Sequence, residues 1–198
     1  RKPRKPGKTQ VRGRSIHIAS NSRSRRVDPV TTEIIRNGVM AVTEEMKSHL
    51  TRTAYNPIIY EALDFTVGIF TPDGRTVSIG LGLPMFIRGM AQTVQTKLAH
   101  FGAETLRPGD VLITNDSYIT GSHLNHITLT QPIFDGKQMV ALACCMAHWT
   151  DIGGTLGGMT TDIYSEGLQI PILKLYRGGA ANEDLLNLIR MNVRLPER

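Results

Sequence analysis

Apolar residues recur at Ile35, Val39, Val42, Met46 and Leu50, the three-and-four spacing that lines one face of a helix. Asp28-Pro29 stands just ahead of them, a capping acid followed by a proline that a first helical turn tolerates. A helix is therefore predicted from Pro29 to about Thr53, broken by Asn56-Pro57. Ile87, Met90, Val94, Leu98 and Phe101 predict a second helix. Leu185, Leu188 and Ile189 predict a third, over residues 182–191. Elsewhere the pattern shortens to strand-like runs: Phe65 to Phe70, Thr76 to Ile79 across the turn Pro72-Asp73-Gly74, and Val111 to Thr114 after Arg107-Pro108-Gly109-Asp110. Ile127 to Phe134 and Lys137 to Ala147 flank Asp135-Gly136, a hairpin signal because Asp-Gly tolerates the positive φ angles of a type I′ turn. The fold class expected is α+β (mixed α/β), with short antiparallel strands and hairpins packed with amphipathic helices.

That hairpin has a chemical consequence. With Asp135-Gly136 as its loop, Phe134 faces Lys137, and counting outward sets His123 opposite His148. Directly opposed Cβ atoms lie roughly 4.5–5.5 Å apart, which suits two imidazoles sharing one metal ion. His126 comes from the same segment. Residues three apart in an unbroken strand point to opposite faces, so His126 joins His123 only through a bulge or turn, for which Thr120-Gly121-Ser122 is the candidate. Asp64, an acid at the edge of an apolar run, would complete a His/Asp shell of the kind that holds Zn²⁺ or Mn²⁺; a cap or a salt bridge is the plainer alternative. The candidate metal ligands are thus Asp64, His123, His126 and His148. Asp116 and Asp151 each lie near a histidine in the chain and are the candidate catalytic acids, orienting an imidazole or moving protons; a turn role is the alternative for both. The glycine-dense stretch Asp151 to Gly158 offers backbone amides to an anion, although most such stretches are turns. No Lys-Ser/Thr follows it, so it is no P-loop. The chain has no G-x-S-x-G elbow, Rossmann fingerprint or RNA-binding motif.

Charge changes the picture only at one end. Ten of the 23 Lys and Arg residues fall within residues 1–27, with no acid among them. Residues 28–198 then carry 13 basic and 17 acidic residues, a net of −4 against the +6 of the whole chain. Residues 1–27 are expected to be a basic disordered tail, without aromatic residues to stack on bases; a nucleic-acid partner is not the favoured reading. Residues 28–198 are expected to form the ordered domain. The longest apolar run, Met139 to Ala147, is far short of the ~20 residues of a membrane span. Cys144 and Cys145 are adjacent and alternate faces in a strand, so they form no ordinary strand disulfide. A reducing cytoplasm is the expected location.

Several short blocks in order give a family resemblance. These are Asp-Pro-Val-Thr-Thr-Glu-Ile-Ile-Arg-Asn at 28–37, Arg-Thr-Ala-Tyr-Asn-Pro at 52–57, Asp64-Phe65, and Arg107-Pro-Gly-Asp-Val. They continue with Asn115-Asp116-Ser-Tyr, Gly121-Ser-His-Leu-Asn-His, Ala147-His-Trp-Thr-Asp-Ile-Gly-Gly, Tyr164-Ser-Glu-Gly-Leu-Gln-Ile-Pro and Asn182-Glu-Asp-Leu-Leu. From Asp28 to Arg198 the chain resembles the hydantoinase B/oxoprolinase family. The resemblance implies an ATP-dependent cyclic-amide hydrolase, opening a hydantoin or 5-oxoproline ring, in which a B-type part holds a divalent metal. ATP would be used by an A-type partner, not by this chain. It also implies that His123 and His148 match family metal histidines and that Asp64 matches a family acid at that site. Ketone carboxylation in a related enzyme, or a non-catalytic scaffold, are the rival expectations. Two departures stand out: His126 occupies a place where the family usually has Asp, and the resemblance implies an amino-terminal fragment of a longer protein.

Overall fold

The computed structural model describes residues 28–155 and 160–197. The basic stretch 1–27 and the glycines at 157 and 158 lie outside the described residues. The predicted first helix is α1, Pro29–Thr53, with Asp28 accepting from the Thr31 amide and Pro29 in the first turn. A one-turn α2, Pro57–Tyr60, follows, capped by Asn56. Strands β1, Phe65–Phe70, and β2, Thr76–Leu81, form the first hairpin. After a 3₁₀ turn at Pro84–Phe86 comes α3, Ile87–Phe101. Then β3 (Val111–Thr114), the single turn α4 (Ser117–Thr120), β4 (His126–Asp135) and β5 (Gln138–His148) complete the middle of the chain. The last part holds the one-turn α5 (Ile163–Glu166), β6 (Leu173–Arg177), β7 (Ala180–Ala181) and α6 (Glu183–Asn192).

The strands make one seven-stranded sheet in the order β2-β1-β5-β4-β3-β6-β7, and every pairing in it is antiparallel. The α+β expectation holds. The short strands β6 and β7 were not predicted from the pattern.

Alternation along β4 and β5 sorts side chains to two faces. Leu142, Cys144 and Met146 pack with Phe70, Phe86, Met90, Val94 and Leu98 beneath α3. On the opposite face, Phe65, Val67 and Ala147 meet α1 and α2 through Met46, Leu50 and Ile59. Ile113, Ile127 and Leu175 meet α6 through Leu185 and Ile189. The sheet is thus a central layer between α3 on one side and α1, α2 and α6 on the other. The first half of α1 overhangs the sheet: Ile34 is 67% and Ile35 57% exposed. Of the apolar stripe read from sequence, Val39, Met46 and Leu50 are half-buried, whereas Ile35 and Val42 stay exposed. No helix among the described residues is long and apolar enough to cross a membrane.

The β4–β5 register differs from the sequence expectation. Asp135 pairs with Gln138, so the two loop residues are Gly136, with φ 56°, and Lys137. Between Ile133 and Phe134 the register shifts, leaving Val140 as an extra residue on β5. Turn and bulge together move the pairing by three positions, and His148 pairs with His126 instead of His123.

Candidate functional site

The end of the sheet away from the Gly136 turn collects the candidate ligands. Asp64 directly precedes β1, His148 ends β5 and His126 begins β4. These are three neighbouring strands, and the His148 amide donates to the Asp64 carbonyl at 3.2 Å. Counting in steps of two from Thr66, Met146 and Thr128, the three residues share the α3 face of the sheet. They form one row across the strands. His123 completes the group from the loop. Gly121 turns the chain with φ 71°, and the His126 amide closes a tight turn on the His123 carbonyl at 3.1 Å. The chain does turn at Gly121, as anticipated, but the turn that lets His123 and His126 meet is the one spanning residues 123–126 themselves.

The three imidazoles lie at ring-centre separations of 4.5 Å (123–126), 5.0 Å (123–148) and 5.1 Å (126–148). Rings bound to one ion through nitrogen at about 2.0–2.1 Å have centres about 5 Å apart, so the spacing leaves room for one cation between the rings. His126, only 2% exposed, stacks at 4.5 Å on Phe86. Its Nε2 faces Asp64 Oδ1 at 3.0 Å, and its Nδ1 faces Ser122 Oγ at 2.8 Å. A carboxylate only accepts, so Nε2–H donates to Asp64 and Nδ1 accepts from the hydroxyl. His123 Nδ1 lies 3.2 Å from Asn125 Oδ1, and Asn125 Nδ2 is committed to the Trp149 carbonyl at 2.9 Å. His123 therefore donates through Nδ1 and keeps its Nε2 lone pair. His148 Nδ1 is buried without a hydrogen-bond partner among the described residues.

Electrostatics favours neutral rings. Burial pushes the His148 pKa down to about 4, and the neighbouring His126 and His123 add to the shift. Burial also lowers His126, against the pull of the Asp64 hydrogen bond. At neutral pH both rings are neutral; the Nδ1 of His148 has no partner among the described residues, while both nitrogens of His126 are spent on Asp64 and Ser122. Among the described residues no group of three His, Cys, Asp or Glu side chains stands placed to hold a metal ion, and His126 directs Nε2 at Asp64. The donor chemistry, the ring spacing and the orphaned His148 nitrogen nevertheless fit a divalent cation. For His126 to join, its proton would have to move to Nδ1, with the Ser122 hydroxyl accepting, and Asp64 would have to give up the Nε2 hydrogen bond.

The two candidate catalytic acids are elsewhere engaged. Asp116 caps α4, accepting from the Tyr118 amide at 3.0 Å. Asp151 accepts from the Gly153 amide at 2.9 Å and from Arg194 Nη1 at 2.8 Å. Burial would raise the Asp151 pKa, but the Arg194 and Gly153 amides and the Arg194 charge hold it below the usual range. Neither carboxylate hydrogen-bonds an imidazole among the described residues. The Gly153 amide, spent on Asp151, is not free for an anion. Ser122 and Asn125 do the orienting instead, and sequence reasoning passed over both because serine and asparagine in a polar loop carry no distinguishing spacing. Asn115 was likewise quoted only as part of a motif. It is fully buried, donating to the carbonyls of Leu124 and Leu168 at 2.9 Å each and accepting from the Ile170 amide at 2.6 Å.

The hydantoinase B/oxoprolinase family model matches residues 28–198. An uncharacterized protein of Methanocaldococcus jannaschii is 37% identical over 86% of this chain and 31% of its own length. The 5-oxoprolinase 1 of Arabidopsis thaliana is 34% identical over 86% of this chain and 13% of its own. The caprolactamase subunit beta of Pseudomonas jessenii is 31% identical over 85% and 29%. The chain spans less than a third of the length of these relatives. Among solved structures, the ATP-dependent caprolactamase from Pseudomonas jessenii superposes with a TM-score of 0.75 at 26% identity, over 85% of this chain and 30% of that one. The nucleotide-free acetone carboxylase gives 0.76 at 18% identity, over 86% and 23%, a likeness of fold. The family model over residues 28–198 and these relatives show that this chain belongs to the hydantoinase B/oxoprolinase family.

Proposed function

We propose that the chain is the metal-holding part of an ATP-dependent cyclic-amide hydrolase, opening a hydantoin- or 5-oxoproline-type ring with an ATP-using A-type partner. The observation that carries this reading is the row Asp64, His148, His126 with His123 closing over it, at ring-centre separations of 4.5–5.1 Å. Family membership supplies the reaction class. A divalent cation such as Zn²⁺ or Mn²⁺ held there would supply Lewis-acid polarisation and a more acidic bound water. His123 and His148 offer free lone pairs, and Asp64 brings the negative charge. His126 replaces the family's usual acid, so the four side chains carry one carboxylate and bind the cation less tightly than two would. Asn125 holds His123 in the tautomer that leaves Nε2 free, and the Ser122 hydroxyl would accept from His126 Nδ1 once Nε2 turned to the cation. Phe86 shields one side of His126 from water, which strengthens its interaction with Asp64. Asp116 and Asp151 maintain loop geometry in this reading. An ATP-consuming partner and two free thiols suit the cytoplasm.

Elemental analysis of the purified chain tests this, alongside His123→Ala and His148→Ala. Near-stoichiometric Zn or Mn in the parent and none in either variant is the expected result. ATP-dependent ring opening should then follow on adding the A-type partner, and bicarbonate-dependent consumption of a ketone would reassign the chain to a carboxylase. A folded parent that takes up neither metal would leave the scaffold role.

A further inference from the structure

A cavity of about 550 Å³ opens on the face of the sheet opposite α3, between α2 and α6. Its walls are chiefly apolar: Ile59 from α2, Leu175 from β6, Leu186 and Ile189 from α6, with Val193 beyond, and Trp149 standing at the strand end. His148 alone of the four histidine-cluster residues belongs to this lining. Two of the polar groups that line it, Asn56 and Asp151, are already satisfied. Asn56 accepts from the Ile58 amide at 3.0 Å and donates to the His148 carbonyl at 2.7 Å. Asp151 is held by Arg194. Arg190 bonds Asn187 at 3.1 Å and lies 3.7 Å from Glu183.

We infer that this cavity is a binding site for a small, neutral, hydrocarbon-rich ring compound, held against Trp149 behind the histidine cluster. Volume argues for a small molecule. Ligand sites run to roughly 300–1,000 Å³, whereas a helix about 10 Å across occupies roughly 400 Å³ per turn, so a docked helix would not fit. Charge argues for neutrality. A ring carboxylate would lie near Asp151 and find a single Arg or Lys in the lining, Arg190, whose Nη1 is already shared between Asn187 and Glu183, so its burial would be poorly compensated. Two sources share this chemistry: the hydrocarbon side of the substrate ring, or a separate effector pressing on the strand end through Asn56 and His148. The inference stands without any metal at the histidines.

Trp149 is the single tryptophan of the chain, so its fluorescence reads occupancy directly. The test titrates a seven-membered aliphatic lactam, and in parallel 5-oxoproline, into the whole chain, into Leu186→Glu and into Val193→Glu, with far-UV circular dichroism confirming the fold of each. A saturable change in emission with the lactam, at least tenfold weaker in whichever variants fold, and little response to the carboxylated ring, is expected. No saturable response, undiminished binding in a folded Glu variant, or equal binding of 5-oxoproline would overturn the inference. His123→Ala separates the sources: weaker lactam binding there assigns the pocket to substrate, and unchanged binding to an effector. Metal uptake by the same preparations is scored independently, so loss of the hydrolase reading and loss of this one are distinguishable.

Discussion

Leu63 holds its backbone at φ 56°, the left-handed region, where an L-residue loses roughly 1–2 kcal/mol. Its carbonyl accepts from the Phe65 amide and the next amide, Asp64 N, donates to the Ile58 carbonyl at 2.9 Å, so the strained residue turns the chain sharply and aims Asp64 across His148 toward His126. Strain of this kind persists where the surroundings over-determine it, and such places cluster at functional sites. Asn115 acts on the same loop by satisfaction instead of strain. Asn115→Ala leaves two carbonyls and an amide unpaired in the interior, at about 1–3 kcal/mol for each group left wanting. A loss of at least about 3 kcal/mol in urea unfolding is expected, together with weaker metal uptake because Leu124 adjoins His123. At the ring itself, Asn125→Ala should release His123 Nδ1 and lower metal affinity by roughly tenfold, the range for removing an orienting partner, with a loss of stability of about 1 kcal/mol for the half-buried Trp149 carbonyl left without Nδ2. Competition with a chelator measures the first and urea unfolding the second.

Element placement shows what could be read from the chain and what could not. The predicted bounds of α1, α3, β1 and β3 coincide with the structure to within a residue, since capping acids, prolines and apolar periods mark them locally. The grouping of Asp64 with His123, His126 and His148 was legible too, although the argument for it used a pairing the structure replaces. Asp135-Gly136 is a strong local turn signal, but the chain centres its loop one residue later and then absorbs Val140 as a bulge. Bulges depend on packing against neighbouring strands, which local sequence does not report. What the pattern also hid is the hold of α3 on the histidine loop. Gly89 in α3 approaches Thr120 so closely that a Cβ there would stand 2.1 Å from the Thr120 carbonyl oxygen. Gly89→Ala must push α4 away and His123 with it. Expected are a loss of about 1–3 kcal/mol, typical of overpacking, and reduced Zn or Mn content, checked by urea unfolding and elemental analysis.

Across the whole molecule, Lys97 ties the α3 layer to the sheet. Fully buried, its ammonium donates to the Thr128 carbonyl at 2.9 Å, to Thr130 Oγ1 at 3.0 Å and to the Leu112 carbonyl at 3.3 Å. Burial depresses its pKa to about 8 from 10.5, although charge on Cys144 and Cys145 pulls the other way. Since the unfolded chain keeps this proton up to about 10.5, stability should rise with pH through the window from 8 to 10.5, by about 3 kcal/mol at most. The buried thiols oppose it from about pH 9, because burial raises both, Cys145 to about 12. The net rise is therefore expected between pH 8 and 9, measured as the urea midpoint, and should vanish in Lys97→Met. The Val140 bulge carries a consequence for variation in length. It works as a slip joint: pairs on the histidine side of Ile133 keep their register whether the tip of the hairpin holds one residue more or one fewer. Removing Val140 would yield a regular hairpin with His126 still facing His148, so the tip is free to diverge in length and composition while the chemistry at the far end stays in step.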